Sequence, residues 1–78
     1  MTLSAPRRAA LKRLLELEAH ERMVPAGDVG ASRYMANKLW REGLIDMGYH
    51  RQQERVLLRL TPAGLSAARQ AREQKGEG

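Results

Sequence analysis

This 78-residue chain has no cysteine and no phenylalanine, and its aromatic residues are one tryptophan and two tyrosines. The lack of cysteine excludes both a disulfide framework and a thiolate metal site. The two histidines, His20 and His50, are far apart and lack ligand-like spacing, so we expect no metal site. A chain of this length buries only about 60% of its unfolded surface. We therefore expect one small domain over residues 1–73 and a disordered polar tail over 74–78.

Long apolar runs are also missing. No run approaches the roughly 18 residues of a membrane span, and charged residues interrupt the segment that follows the basic N-terminus, so no signal-peptide core is expected. We expect no membrane partner and a cytoplasmic location. The sequence has no Ser/His/Asp arrangement and no glycine-rich phosphate loop. These absences predict a protein that is not an enzyme and that has no catalytic residues and no cofactor.

Positive charge is in excess. The 14 basic residues outnumber the 9 acidic ones and give a net charge of +5. Most of the basic residues are arginine, whose planar fork fits phosphate and guanine better than lysine does. A GC-rich genome would also enrich arginine and alanine, so the cause of the excess stays open. The charge nevertheless favours an anionic partner over a cationic one.

The segment from Ser32 to Ile45 separates its side chains into two faces when it is read as a helix of about 100° per residue. Polar and basic side chains fall within an arc of about 140°: Arg33, Tyr34, Asn37, Lys38 and Arg41. The other side carries Ser32, Met35, Ala36, Leu39, Trp40 and Gly43. We expect this second side, including Trp40, to pack on the core; the alternative for Trp40 is a hot spot for a binding partner. The polar side suits phosphate oxygens and base edges.

The rest of the chain predicts further helices and one hairpin. Pro6 favours a helix start, and Thr61 followed by Pro62 is a strong one. Alternation of apolar and polar residues predicts two strands around a polar tip, with Ile45, Met47 and Tyr49 on the half-buried side. The predicted elements are a first helix over 6–22, a short helix near 26–30, a helix over 32–42, strands within 45–50 and 55–60, and a last helix over 62–74.

This order predicts an α+β fold, mainly α, with a winged helix-turn-helix arrangement: three N-terminal helices, a two-stranded β-hairpin wing and a C-terminal helix. Two motifs carry a family resemblance. Leu39-Trp-Arg-Glu-Gly-Leu-Ile45 and, after the hairpin, Leu58-Arg-Leu-Thr-Pro-Ala-Gly64 resemble the DNA-binding core of MarR-type transcriptional regulators. The resemblance covers about residues 29–65 and implies a recognition helix followed by a wing. The tip departs from the family's Asp-x-Arg and offers His50, Arg51 and Arg55 instead.

We expect a small winged-helix protein that binds double-stranded DNA, as a transcriptional or mobile-element regulator, with helix 32–42 in the major groove and the 50–55 wing on the backbone. Arg33 and Asn37 are the expected base readers. Tyr34, Lys38 and Arg41 suit phosphates, and Arg51 suits a phosphate or a minor groove. A homodimer would strengthen binding. The alternative is a winged-helix protein-interaction module, such as a phage-type inhibitor or adaptor, that binds an acidic protein partner.

Overall fold

The computed structural model describes residues 4–73, which form a small α+β domain of four helices and one three-stranded antiparallel sheet. The helices are α1 (Ala5–Glu16), α2 (Ala26–Val29), α3 (Arg33–Arg41) and α4 (Pro62–Glu73). The strands are β1 (Val24–Pro25), β2 (Ile45–His50) and β3 (Arg55–Leu60). The predicted tail over 74–78 lies outside the described residues. None of the helices within residues 4–73 is long and apolar enough to cross a membrane.

The sheet contains the predicted hairpin and one additional strand. β2 and β3 pair antiparallel from Ile45 opposite Leu60 to His50 opposite Arg55. The prediction of only two strands is wrong, because β1 pairs with the other side of β3 and gives the order β1-β3-β2. A strand of two residues has no period that a sequence could reveal. Its second residue, Pro25, lacks an N–H, which suits an edge strand.

Helix α1 is shorter than predicted. It ends at Glu16 and not at residue 22, and Glu18 then adopts a left-handed conformation with φ of 58°. The Ala19 N–H donates to the Leu14 carbonyl at 2.9 Å, which is the six-residue closure of a Schellman motif. Beyond the helix, the Ala19 carbonyl accepts a hydrogen bond from the Leu60 N–H at 3.0 Å. This bond connects the end of α1 to the end of the sheet.

The core lies between the helices and one face of the sheet. Its largest fully buried side chains come from α1, α3, β2 and β3: Leu11, Leu14, Leu39, Ile45 and Leu58. Helix α4 packs against α1 mainly through small residues, with Ala68 and Ala71 buried. This core has no aromatic residue among its buried members, so it depends on close packing of leucine, isoleucine and alanine.

Two aromatic residues that the sequence assigns to the buried side are exposed. Trp40 is 54% exposed and Tyr49 is 61% exposed. Ala36 and Leu39 already fill the space beneath α3, and Trp40 is rotated by about 100° from Leu39. Burial decreases along the inner side of β2, from buried Ile45 through half-buried Met47 to exposed Tyr49. The prediction that Trp40 fills the core is therefore wrong.

Candidate nucleic-acid interface

Helix α3 is fixed at its N-terminal end by a side-chain cap. The Ser32 Oγ accepts a hydrogen bond from the Met35 N–H at 3.1 Å, as the sequence predicts for a serine at this position. Ala36 and Leu39 are buried beneath the helix. Because one side of α3 is anchored in the core, the direction in which the opposite side points is set by the packing.

The C-terminal end of α3 is fixed by a contact with the start of α4. Gly43 follows the helix with φ of 76°, and the Leu44 N–H donates to the Leu39 carbonyl at 3.0 Å, which completes a second Schellman closure. The Thr61 hydroxyl donates to the Gly43 carbonyl at 2.6 Å. The same hydroxyl oxygen accepts from the Gly64 N–H at 3.0 Å. Thr61 thus caps α4 as predicted and also connects α4 to the end of α3.

All five predicted contact residues of α3 lie on its solvent side. Arg33, Tyr34, Asn37 and Arg41 are exposed, and Lys38 is half-buried. The Lys38 Nζ lies 5.4 Å from the centroid of the Tyr34 ring, within the range of a cation–π contact. This contact holds the ammonium and the phenol together on one flank of the helix.

The two arginines and the asparagine of α3 have no side-chain partners among the described residues. Within residues 4–73, the side chains of Arg33, Asn37 and Arg41 make no hydrogen bond or ion pair. No acidic residue occurs between Arg33 and Arg41. The acid that follows α3, Glu42, forms an ion pair with Arg7 of α1, which offsets its negative charge. The solvent side of α3 therefore presents two free guanidinium groups and a free amide.

The arginines of α1 differ from those of α3 because several of them are already engaged. Arg7 binds Glu42. Arg13 forms an ion pair with Glu16 at 3.3 Å and donates to the Asp28 carbonyl at 3.3 Å. An arginine that already holds a carboxylate gains less from a phosphate than a free one does. The guanidinium groups of Arg7 and Arg13 are thus engaged, whereas those of Arg33 and Arg41 are free within the described residues.

Arg51 lies on a separate element, in the four-residue turn between β2 and β3. All four turn residues, 51–54, are exposed. The His50 Nδ1 accepts a hydrogen bond from the Gln53 N–H at 3.2 Å, and the Glu54 N–H donates to the Arg51 carbonyl at 3.3 Å. His50 therefore shapes the turn. The Arg51 side chain has no partner within the described residues and extends from the end of the hairpin.

Trp40 also belongs to the exposed side of α3, although its residue type predicts a buried position. Trp40 comes seven residues after Arg33, so the two lie about 20° apart around the helix axis. That spacing is visible in the sequence, but the size of the indole favoured a buried position. With it, the α3 face consists of Arg33, Tyr34, Asn37, Lys38, Trp40 and Arg41, over an arc of about 160°.

Within residues 4–73, no three histidine, aspartate or glutamate side chains come together as a metal-binding group. The feature that stands out is a helix face with unpaired cations, an amide and exposed aromatic rings. Groups of this kind bind phosphate oxygens and base edges. No protein family, curated protein or solved structure matches the chain, so its function must be inferred from its own residues.

Proposed function

We propose that the protein binds double-stranded DNA as a small winged-helix protein, a transcriptional or mobile-element regulator. In this proposal α3 enters the major groove and the β2–β3 turn contacts the sugar-phosphate backbone. The main support for this proposal is the α3 face, where Arg33, Asn37 and Arg41 are exposed and without partners among the described residues. A helix that presents such groups fits the width and the hydrogen-bonding pattern of the major groove.

The arrangement of elements around α3 also supports a winged helix. Three residues, 30–32, separate α2 from α3, a spacing that is typical of a helix-turn-helix. Helix α3 leads directly into the β2–β3 hairpin, and the chain then enters α4. This order agrees with the resemblance to the DNA-binding core of MarR-type regulators over residues 29–65.

Each residue of the proposed interface has a distinct role. Arg33 begins α3 and Asn37 lies one turn later, and the N-terminal part of a recognition helix is the part that reads bases. Arginine pairs with guanine O6 and N7, and asparagine with adenine N6 and N7. Lys38 and Arg41 lie further along the helix, where cations serve the phosphates. Tyr34 accompanies Lys38 through the contact between ammonium and ring.

Selection of binding sites from a random duplex pool, followed by binding assays, tests the proposal. Asn37→Ala should weaken binding to the enriched site by about 1–3 kcal/mol and relax its selectivity, because a base-reading amide is lost. Lys38→Ala should weaken binding to duplexes of every sequence alike, because one phosphate contact is lost. It should also reduce the magnitude of the slope of log K against log salt by about one. A symmetric enriched motif would indicate two copies on one site, as expected for a homodimer.

Arg69→Ala is the matched control for these variants. Arg69 is exposed on α4, so its removal changes the net charge as much as Lys38→Ala does but leaves the α3 face intact. We expect it to have little effect on the affinity for the enriched site. Absence of duplex binding even at low salt would overturn the proposal. A stoichiometric complex with one acidic protein, weakened by the same α3 variants, would then support the interaction module instead.

A further inference from the structure

Trp40 is the only tryptophan of the chain, and 54% of it is exposed. It is the next-to-last residue of α3 and directly follows Leu39, which is fully buried. Tryptophan contributes more apolar surface than any other residue type, and leaving it in water forgoes the free energy that burial would provide. The exposed indole is thus available for contact with a binding partner.

The position of Trp40 on α3 relates it to the base-reading side of the helix. Trp40 is about 20° from Arg33 and about 60° from Asn37, but about 160° from Lys38. Along the axis it lies about 10.5 Å beyond Arg33. Since the rise per base pair is about 3.4 Å along the duplex axis and the groove runs obliquely to that axis, this offset spans at most about three base pairs when α3 follows the groove.

We propose that Trp40 is a third base-contacting residue, whose indole packs against the C5-methyl group of a thymine in the major groove. This inference rests on the proposed DNA binding. Among the base edges of the major groove, the thymine methyl is the apolar group. Arg33 and Asn37 supply donors for guanine and adenine, whereas Trp40 supplies an apolar surface. The preferred site therefore contains a thymine within about three base pairs of the base that Arg33 contacts.

Replacement of single thymines by deoxyuridine in the enriched site tests the contact, because this replacement removes only the C5-methyl group. At one thymine, the wild-type protein should lose affinity by a factor of about four, the equivalent of about 0.8 kcal/mol for one buried carbon group. Trp40→Ala should bind the site more weakly and should no longer distinguish thymine from uracil at that position. Trp40→Phe should restore part of the discrimination.

Tyr49→Ala provides the matched control. Tyr49 is an aromatic residue of similar exposure, 61%, on β2 and not on α3. Its removal also deletes an exposed ring, but the fourfold preference for thymine should persist. Because Trp40 is exposed, both variants should fold, and circular dichroism checks that they do.

The fluorescence of Trp40 gives a second readout that does not depend on affinity. The chain has no other tryptophan. Protection of the Trp40 emission from quenching by acrylamide on duplex binding therefore reports burial of this indole alone. Protection together with thymine discrimination supports the proposal. Duplex binding without protection, or protection without discrimination at any thymine, overturns it and leaves the proposed function intact. Absence of duplex binding overturns both, and protection of Trp40 by an acidic protein alone would assign it to a protein contact.

Discussion

Gly64 illustrates how a single residue allows α4 to approach the segment that follows α3. A Cβ atom at this position would lie 1.7 Å from the Leu44 carbonyl oxygen and 2.7 Å from its carbonyl carbon. Leu44 lies three residues beyond the end of α3, and its carbonyl accepts a hydrogen bond from the Thr61 N–H at 3.1 Å. The close approach of α4 to the end of α3 is therefore possible only because Gly64 has no side chain.

We expect Gly64→Ala to reduce the free energy of unfolding by at least about 3 kcal/mol. The overlap is with backbone atoms, which cannot rotate away as a side chain does, so the cost exceeds that of ordinary overpacking. Urea denaturation followed by circular dichroism measures it. Ser66→Ala, an exposed change on the same helix, should leave the stability within about 0.5 kcal/mol. Equal stability of the two variants would show that α4 does not approach Leu44 this closely.

This close approach was not predictable from the sequence. Thr61 and Pro62 predict the start of α4 because a hydroxyl cap and an early proline are local signals. The contact between Gly64 and Leu44 joins residues that are distant along the chain, and no local pattern encodes it. The glycine of the Leu-Thr-Pro-Ala-Gly motif is thus recognised as a motif residue, whereas its steric role appears only when the elements are packed.

At the scale of the elements, local signals explain why the sequence predicts α3 and the hairpin but not β1. Ser32 and Gly43 mark the ends of α3, and alternation marks β2 and β3. β1 has only two residues, and it exists because β3 offers an unpaired edge. For Trp40 two local signals disagree. Its residue type favours the core, whereas its angular position around α3, about 20° from Arg33, favours solvent. The packed core decides between them, since Ala36 and Leu39 already occupy the buried side.

The left-handed residue at the end of α1 allows a prediction about the stability of the domain. Glu18 has φ of 58°, and a non-glycine residue in this conformation costs roughly 1–2 kcal/mol. Its side chain is exposed and has no partner within the described residues. We expect Glu18→Gly to raise the free energy of unfolding by about 0.5–1 kcal/mol, because relief of the backbone strain exceeds the added entropy of the unfolded chain. Urea denaturation measures the change.

Glu16→Gly is the appropriate comparison for this element. Glu16 lies in the last turn of α1 with helical geometry, where glycine lowers stability by about 1 kcal/mol. Both substitutions remove one negative charge, and Glu16→Gly also removes the exposed ion pair with Arg13. Their effects on the free energy of unfolding should have opposite signs. If both destabilise, α1 must continue past residue 17 in solution, as the sequence predicts, and not end where the Ala19 N–H reaches the Leu14 carbonyl.

At the scale of the whole molecule, the distribution of charge matters more than its total. A net charge of +5 attracts any polyanion and does not by itself select a side of the protein. The ion pairs of α1 engage Arg7 and Arg13, whereas the α3 face and the β2–β3 turn keep their arginines free within the described residues. Attraction is general, and exposed arginines without a partner also occur on α4; what distinguishes α3 is that its free guanidinium groups share one face with an amide and aromatic rings.

This distribution predicts how DNA binding depends on salt. Lys38, Arg41 and Arg51 are the proposed phosphate contacts, and each contact contributes about −0.9 to the slope of log K against log salt on duplex DNA. We expect a slope of about −2.7 for the wild-type protein and about −1.8 for Arg51→Ala. Fluorescence anisotropy of a labelled duplex, measured over a series of salt concentrations, gives both values.

Arg72→Ala tests whether the effect belongs to the turn or to the net charge. Arg72 is exposed near the end of α4, and its loss changes the net charge by the same amount as Arg51→Ala. Counterion release depends on the phosphates that are contacted and not on distant charges, so the slope of Arg72→Ala should equal that of the wild type. If Arg72→Ala makes the slope as shallow as Arg51→Ala does, the protein binds DNA as a diffuse polycation. The β2–β3 turn then makes no specific contact with the DNA backbone.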